Sequence, residues 1–316
     1  MMQLDRMTLG RMAKEMGFVR DTFEKVCRLS EVLEFIEADD LLSKSIALKG
    51  GTAINLTIFD LPRLSVDIDL DYCKDVTREA MLADRKVITE KINKYMSAGG
   101  YVLSLKSKTY HALDSLVYEY MNAGGIRDNL KIEINYMLRC HVLPTAKREV
   151  NLPWSQDRLT VLSVDPLEIF ASKTVALLAR TAPRDLYDIH NMVKYGLFDE
   201  SEEDMFRKCT VFYSAIGAEK PPEKFELDQI GAVSAQQIKR ELNPVLRKGE
   251  KVDLKLVQKE VRDYLESVMI PTKTEEKFWR AFAEGDYYPE LIFEEGRELQ
   301  NVLKHPMALW KCRQIR

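Results

Sequence analysis

Two aspartates stand two residues apart in a stretch that alternates apolar and acidic residues. Residues 65–73 read SVDIDLDYC, and a period of two predicts a β-strand whose alternate side chains share one face. Asp67 and Asp69 would then lie side by side, with Asp71 on the same face as a solvated charge at the strand end. Neighbouring carboxylates repel one another unless a cation lies between them, and Mg²⁺ prefers such oxygen ligands. The spacing indicates a metal site, and a solvated acidic strand face remains the alternative.

A glycine pair precedes the aspartates by some fifteen residues. Gly50, Gly51 and Thr52 follow a short apolar run at 46–48 and precede apolar residues at 54–59. This order predicts a strand, a tight glycine turn and a helix. Such a turn lets backbone N–H groups approach a phosphate, and the helix that follows offers its positive end. With the two aspartates, the turn suits a nucleoside triphosphate carried on a metal ion.

A further carboxylate lies in another stretch with a period of two. Glu133 belongs to LKIEINYM at 130–137, a pattern that predicts a strand. Beside the aspartate pair it could serve as a metal ligand or as the general base for an attacking hydroxyl. It could equally line the polar side of its strand, and its residue type does not decide between these interpretations.

A second charged group follows far along the chain. Cations at helical spacing flank a proline and two aspartates follow: Lys173, Arg180, Pro183, Arg184, Asp185 and Asp188. The proline predicts that one helix ends and another begins there. Spacing alone favours a structural network of ion pairs between the two helices. In the functional alternative, Lys173 contacts a triphosphate, and Asp188 positions Lys173 or takes part in binding the nucleotide or the acceptor.

Composition and net charge limit the classes of protein to which the chain can belong. The chain has 316 residues, is 46% hydrophobic and carries a formal net charge of −3. It is therefore expected to fold, and a nucleic-acid binder with a broad basic surface is disfavoured. Five scattered cysteines without a CxxC pair, together with the lack of a long apolar run or signal peptide, predict a cytoplasmic protein that does not enter membranes.

The periodicity predicts an α+β organisation. An α/β half at 1–165 would carry a mixed sheet with flanking helices, and a helical half at 166–316 would follow. The expected strands lie at 46–48, 66–73, 101–110, 113–121, 130–138 and 158–164. The expected helices lie at 21–44, 77–98, 165–180, 184–195, 202–216, 254–268 and 272–284.

Three stretches resemble one known family in the right order. LKGGTAINLTIFDLPRLSVDIDLD at 48–71 resembles the opening of the AbiEii/AbiGii toxins, which are DNA polymerase β-like nucleotidyltransferases. KTVALLARTAPRDLYDIHNM at 173–192 resembles that family's Lys…Arg…Arg-Asp-x-x-Asp segment. YYPELIF at 287–293 and HPMALWK at 305–311 resemble its C-terminal signature. The likeness extends from about residue 45 to the end of the sequence.

The resemblance implies a nucleotidyltransferase fold with a helical C-terminal domain. It also implies the toxin of a bacterial toxin–antitoxin or abortive-infection pair that acts in phage defence. Relatives use nucleoside triphosphates, and the related MenT toxins modify the 3′ end of tRNA. We therefore expect transfer of a nucleotide to a tRNA 3′ end. The expected partner is an antitoxin encoded nearby, which need not form a stable complex.

The resemblance also assigns roles to individual residues. Asp67 and Asp69, with Glu133 as a third carboxylate, would bind Mg²⁺ or Mn²⁺, although aspartate is more common at the third position. Lys173 and Asp188 would join them in catalysis, in a site that draws on both halves. The expected nucleotide-binding residues are Gly50, Gly51, Thr52, Ser65, Lys173, Arg180, Arg184 and Asp185. A kinase, an enzyme that nucleotidylates proteins, and a nucleotide-binding regulator without turnover remain the alternatives.

An RNA acceptor would need cations near the aspartates. Candidates are Lys106 and Lys108 on a predicted strand, LRKGEK at 246–251 and the tail at 310–316. Each could instead be a solvated surface charge.

Overall fold

The computed structural model describes residues 5–155 and 157–315. The chain divides into two compact units. The first comprises the described residues up to Arg139, then Thr145–Val164 and Pro244–Glu250. The second comprises Cys140–Pro144, Asp165–Asn243 and the described residues from Lys251 onward. Cys140–Pro144 thus belongs to the second unit although its neighbours in sequence belong to the first, and the reverse holds for Pro244–Glu250.

The first unit is built on an eight-stranded sheet with helices. The helices are α1 (Arg6–Glu15), α2 (Arg20–Ala38), α3 (Leu42–Ser45), α4 (Gly50–Ala53) and α5 (Arg78–Ala98), and α4 continues into a π-helical turn at Ile54–Ile58. The strands are β1 (Ile46–Lys49), β2 (Asp67–Tyr72), β3 (Val102–Leu103), β4 (Lys108–Thr109), β5 (Leu113–Met121), β6 (Arg127–Asn135), β7 (Ala146–Val150) and β8 (Leu159–Ser163). Their order is β3-β5-β6-β2-β1-β8-β7, with β4 also paired to β5.

The sheet is mixed, and at its centre one face is apolar and the other is polar. Strand β2 runs antiparallel to β1 and parallel to β6, and β5 is antiparallel to β6. One face of these strands carries fully buried apolar residues such as Ile68, Ile132 and Ile134. Helix α5 packs on that face, where Asn93 accepts a hydrogen bond of 2.7 Å from the hydroxyl of Tyr118. Alternation therefore directs Asp67 and Asp69 of β2 and Glu133 of β6 to the other face.

Two sequence predictions in this unit are wrong in their extent. The strand expected at 101–110 is two short strands, because the hydroxyl of Ser107, in the turn between them, accepts a hydrogen bond from the backbone N–H of Val117 at 2.9 Å. The helix expected at 21–44 ends at Ala38. There Asp39 adopts an extended backbone and its carboxylate accepts hydrogen bonds from the N–H groups of Leu41 and Leu42. A side-chain cap thus replaces the helical ladder and starts α3.

The second unit is helical in the part of the chain that the structure describes. Its helices are α6 (Pro166–Arg180), α7 (Pro183–Lys194), α8 (Glu200–Gly217), α9 (Ala235–Gln237), α10 (Leu254–Val268), α11 (Lys273–Ala283), α12 (Arg297–Val302) and α13 (Pro306–Ile315). Between residues 5 and 155 and between 157 and 315, no helix is long and apolar enough to cross a membrane.

The predicted break between α6 and α7 is present. Asp165 caps α6 by accepting a hydrogen bond of 2.9 Å from the N–H of Leu167. Thr181 ends the helix with a positive φ of 50°, and Pro183 opens α7. Because proline lacks an N–H, it fits the first turn of the new helix and cannot continue the old one.

Candidate active site

The glycine pair forms a close seat for an aspartate. Gly50 has a φ of +66°, and a side chain there would begin 3.1 Å from the Cβ atom of Asp69. Gly51 is equally confined, because a side chain would begin 3.0 Å from the hydroxyl of Ser65 and 2.8 Å from Nη2 of Arg63. Glycine is therefore required at Gly50 by backbone conformation and contact distance, and at Gly51 by contact distance. The turn brings Asp69 and Ser65 against its backbone.

Thr52 ties this turn to β2. Its side chain is fully buried, and its hydroxyl donates a hydrogen bond to the backbone carbonyl of Asp67. This contact fixes the start of α4 relative to the strand that carries the aspartates. Binding of a phosphate by the Thr52 side chain stays a prediction, since the hydroxyl proton is already engaged.

Sheet register places the three acidic candidates together. Asp69 of β2 pairs with Glu133 of the parallel strand β6, and Asp67 pairs with Lys131. Residues paired across neighbouring strands point to the same face, and their strands lie about 4.8 Å apart. All four side chains are half-buried. The structure thus gathers Asp67, Asp69 and Glu133 on one partly open face of the sheet.

Lys131 lies beside these carboxylates on the same face of the sheet. Nζ of Lys131 lies 2.9 Å from Oε2 of Glu133. Burial alone would lower the pKa of Lys131, but the hydrogen bond and charge of Glu133, and the charges of Asp67 and Asp69, raise this pKa above its ordinary value. The ammonium is therefore held in its charged form by the acidic face.

The interpretation of Asp71 as a solvated charge is wrong. Its side chain is 3% exposed, and its Oδ1 lies 2.5 Å from Nζ of Lys49. The sequence pattern placed Asp71 on the acidic face but could not show that Lys49 neutralises it at the junction of β1 and the glycine turn. The pair leaves Asp67 and Asp69 as the more accessible carboxylates.

The donors on this face match the chemistry of a hard cation in part. Across residues 5–155 and 157–315, no three or more His, Cys, Asp or Glu side chains are grouped so that they alone could hold a metal ion. Mg²⁺ is commonly bound by one or two carboxylates together with substrate phosphates and waters. Asp67 and Asp69 beside the glycine turn fit that mode, whereas Glu133 is engaged by Lys131.

The second charged group lies within the helical unit. Nζ of Lys173 on α6 is 2.9 Å from Oδ1 of Asp185 and 3.4 Å from Oδ2 of Asp188, both on α7. Nε of Arg180 donates to Oδ2 of Asp185 at 2.7 Å. Asp185 and Asp188 are 1% and 0% exposed. The spacing correctly predicted that these residues meet across the helix break.

Electrostatics favour the ionised form of Asp185 although its side chain is buried. Burial would raise the pKa of Asp185, but the charges of Lys173 and Arg180 and their hydrogen bonds lower it below its ordinary value. Asp185 is therefore more than an N-terminal helix charge. Arg184 lies in the same first turn, and its Nε donates to the backbone carbonyl of Glu241 at 2.8 Å.

Three cations near the acidic face were missed in the sequence: Arg63, Lys49 and Lys131. Arg63 is 2% exposed, and its Nη1 donates to the backbone carbonyl of Leu64 at 2.9 Å beside Gly51. Lys131 stands two residues before Glu133, so the period of two already placed both on one face. For Arg63 only its position four residues before Asp67 was a signal.

Comparison with known proteins identifies the family. A family model described as nucleotidyl transferase AbiEii toxin, type IV toxin–antitoxin system, matches residues 34–283 of the 316. The fold is similar to that of MenT4, a nucleotidyltransferase toxin from Mycobacterium tuberculosis H37Rv, with a TM-score of 0.65 and 16% sequence identity. That match covers 99% of each chain. No curated protein matches. The chain belongs to the AbiEii nucleotidyltransferase toxins of type IV toxin–antitoxin systems.

Proposed function

We propose that this toxin is a Mg²⁺-dependent enzyme that transfers a nucleotide from a nucleoside triphosphate to the 3′ end of an RNA, with tRNA as the preferred acceptor. The observation that carries the proposal is the seat of Asp69 against Gly50, with Asp67 and Glu133 on the same sheet face. This arrangement joins a turn suited to phosphates with carboxylates suited to a divalent cation.

In this proposal, the first unit binds and orients the reacting groups. The turn at Gly50 and Gly51 cradles phosphates with its backbone N–H groups, and Ser65 borders their approach. The acceptor hydroxyl oxygen attacks the α-phosphorus while the bond to the oxygen bridging the β-phosphate breaks, and pyrophosphate leaves. Glu133 receives the proton of the hydroxyl. Its carboxylate lies 2.9 Å from Nζ of Lys131, which holds it in place on the sheet face.

Nucleotidyltransferases of this kind generally use divalent metals, and Mg²⁺ or Mn²⁺ would neutralise phosphate charge and polarise the reacting phosphorus. Asp67 and Asp69 would hold the ion, with triphosphate oxygens completing its ligands. Glu133 is the third carboxylate candidate and would have to leave Lys131 to reach the ion.

For the helical unit the proposal concerns Lys173 and the residues around it. The Lys173 ammonium neutralises triphosphate charge during transfer, and Asp185 and Asp188 hold its Nζ in place at 2.9 and 3.4 Å. Arg180, whose side chain is 63% exposed, contributes to nucleotide binding from the same network. Arg184 is the weakest candidate, because its Nε serves the carbonyl of Glu241.

The biological proposal follows from the family. The toxin acts in the cytoplasm as part of phage defence by abortive infection. A cognate antitoxin counteracts it, and a stable toxin–antitoxin complex is not required for this. Growth arrest on expression that disappears with Asp69→Asn would support the toxin role, and undiminished arrest would contradict the assigned site.

Labelled triphosphates test the reaction directly. The protein is incubated with each α-labelled or γ-labelled nucleoside triphosphate and total RNA. Label from the α-position on RNA supports the proposal, and Asp69→Asn should abolish it while the exposed control Glu90→Gln retains it. Label from the γ-position would indicate a kinase, α-label on protein would indicate protein nucleotidylation, and binding without transfer would indicate a regulator. Each of these outcomes contradicts the proposal.

A further inference from the structure

A single row of side chains crosses five strands of the sheet. Register aligns Lys49 of β1 with Asp69 of β2, Asp69 with Glu133 of β6, Glu133 with Ser115 of β5, and Ser115 with Lys108 of β4. Side chains aligned by register share one face. The row therefore connects the glycine turn, through the acidic candidates, to a cation on an edge strand.

The face that carries this row is partly open beyond Glu133. Along β5 the side chains alternate between half-buried and buried, and Ser115 and Val117 belong to the half-buried set. Their neighbours Leu116 and Tyr118 are 3% and 1% exposed on the opposite face, which helix α5 covers. A ligand that reaches Glu133 can thus continue over β5 without displacing the core.

The far end of the row combines charge with an aromatic ring. Lys108 is exposed, and Tyr110, two residues later, is 51% exposed. The N–H of Tyr110 donates to the carbonyl of Leu113 at 2.8 Å, which extends the β4–β5 ladder and keeps Tyr110 on the face of Lys108. Lys106 is exposed in the preceding turn. Within the described residues, neither Lys106 nor Lys108 takes part in an ion pair.

The opposite edge of the sheet does not offer the same opportunity. There β7 carries Lys147, and its ammonium is paired with the carboxylate of Glu37. A cation already neutralised by a carboxylate attracts phosphate less than an unpaired one does. Charge therefore favours the β4 edge over the β7 edge for a polyanion.

We infer that the acceptor RNA runs as a single strand from Glu133 over Ser115 to the β4 edge, where Lys108 and Lys106 contact its phosphates and Tyr110 stacks on a base. The inference rests on the proposed nucleotidyl transfer to RNA and names the surface that holds the acceptor. Lys108 lies two strand spacings from Glu133, about 10 Å. It would therefore meet the strand upstream of the reacting 3′ nucleotide. Cations that track the backbone and aromatic rings that stack on bases are the usual means of binding single strands.

A pair of charge reversals tests this surface against a matched control. The test variant is Lys106→Glu/Lys108→Glu. The control is Lys86→Glu/Lys94→Glu, which makes the same change in net charge at exposed positions of α5, on the other side of the sheet. Circular dichroism and thermal melting should show that both fold, because all four lysines are exposed.

The expected result separates acceptor binding from nucleotide binding. The test variant should raise the KM for RNA by about tenfold to a hundredfold and reduce the salt dependence of RNA binding, as lost phosphate contacts do. Its KM for the nucleoside triphosphate should not change. Tyr110→Ala should raise the KM for RNA by about tenfold, through lost stacking, without changing the salt dependence.

Two outcomes overturn the inference, and they differ from failure of the proposed function. A KM for RNA in the test variant equal to that of the wild type would show that the β4 edge does not bind the acceptor. An equal rise in both would show a general effect of net charge. If the wild-type protein labels no RNA, or labels protein instead, the proposed function fails first and the acceptor surface falls with it.

Discussion

The two charged clusters use the same residue types in opposite environments. On the sheet face, Asp67, Asp69 and Glu133 are half-buried. In the helical unit, Asp185 and Asp188 are 1% and 0% exposed around the ammonium of Lys173. A buried charge must keep its partner because its desolvation is costly. A half-exposed carboxylate can release one cation and accept another.

The difference also lies in what positions the side chains. The β-ladder fixes Asp69 opposite Glu133 through backbone hydrogen bonds, so the acidic face does not depend on its own charges to form. Between α6 and α7 the ion pairs themselves join the helices across the break at Thr181. Substitutions on the sheet face should therefore affect chemistry before stability, and substitutions in the helical cluster should affect both.

The largest expected effect is on catalysis at the sheet face. Asp69→Asn keeps the size of the side chain but removes the charge beside the glycine turn, and nucleotidyl transfer should fall on the order of 10³-fold. The free energy of unfolding should stay within about 0.5 kcal/mol, because the ladder is unaffected. Transfer assays and urea denaturation measure the two quantities. A large loss of stability would show that the two clusters do not differ in this way.

A substitution in the helical cluster should lower the free energy of unfolding. Asp185→Asn leaves Lys173 buried with only Asp188 nearby, and breaking a buried ion pair costs about 3 kcal/mol at the lower end of the usual range. The control is Asp263→Asn on α10, whose side chain is 55% exposed and pairs with Lys259 at 2.6 Å. Exposed pairs contribute about 1 kcal/mol or less. Equal costs for the two substitutions in urea denaturation would contradict the buried pair.

The pH dependence of that difference has a definite sign. Burial opposes ionisation of Asp185, yet the charges of Lys173 and Arg180 lower its pKa below the ordinary 3.8. A carboxyl with a lower pKa in the folded state stabilises above its unfolded pKa and loses this effect as the pH falls through its folded pKa. The stability gap between wild type and Asp185→Asn should thus be constant near neutral pH and narrow below 3.8. A gap that widens in acid would reverse the assignment.

A comparison of Gly50 with Gly125 separates the effect of backbone strain from the effect of contact with Asp69. Gly50 and Gly125 have φ values of +66° and +76°, but only Gly50 faces Asp69, while the space around Gly125 is open. Alanine at either position should cost about 1 kcal/mol through its unfavourable backbone conformation. Gly50→Ala should in addition displace Asp69 and lower transfer by at least tenfold, whereas Gly125→Ala should not. Full activity of Gly50→Ala would argue against the seat.

The sequence predicted the elements better than their partners. The period of two placed Asp69 and Glu133 on strands, and the proline placed the break between α6 and α7. The neighbouring strands β2 and β6 are far apart in sequence, so the period alone left the alignment of Asp69 with Glu133 open. The same holds for Asp71, because its pairing with Lys49 depends on β1 lying beside β2. Period shows which face a residue occupies, whereas tertiary pairing decides which charges meet there.

The smallest expected effect is on metal binding. It tests whether a metal ion can replace the Lys131 ammonium beside the carboxylates of the acidic face. Lys131→Met removes the ammonium 2.9 Å from Glu133 and leaves the carboxylates with more negative potential. Binding of Mn²⁺ without nucleotide should then tighten by about threefold to tenfold, since a competing charge at a half-exposed site is worth about 1 kcal/mol. Lys25→Met is the control, because Lys25 pairs with Asp128 of the same strand β6 at 2.7 Å, five residues before Glu133. Titration calorimetry measures both affinities. If Lys131→Met binds Mn²⁺ no more tightly than the control, Lys131 does not compete with the metal ion for the carboxylates. The proposed difference in cation exchange between the sheet face and the helical cluster would then be wrong.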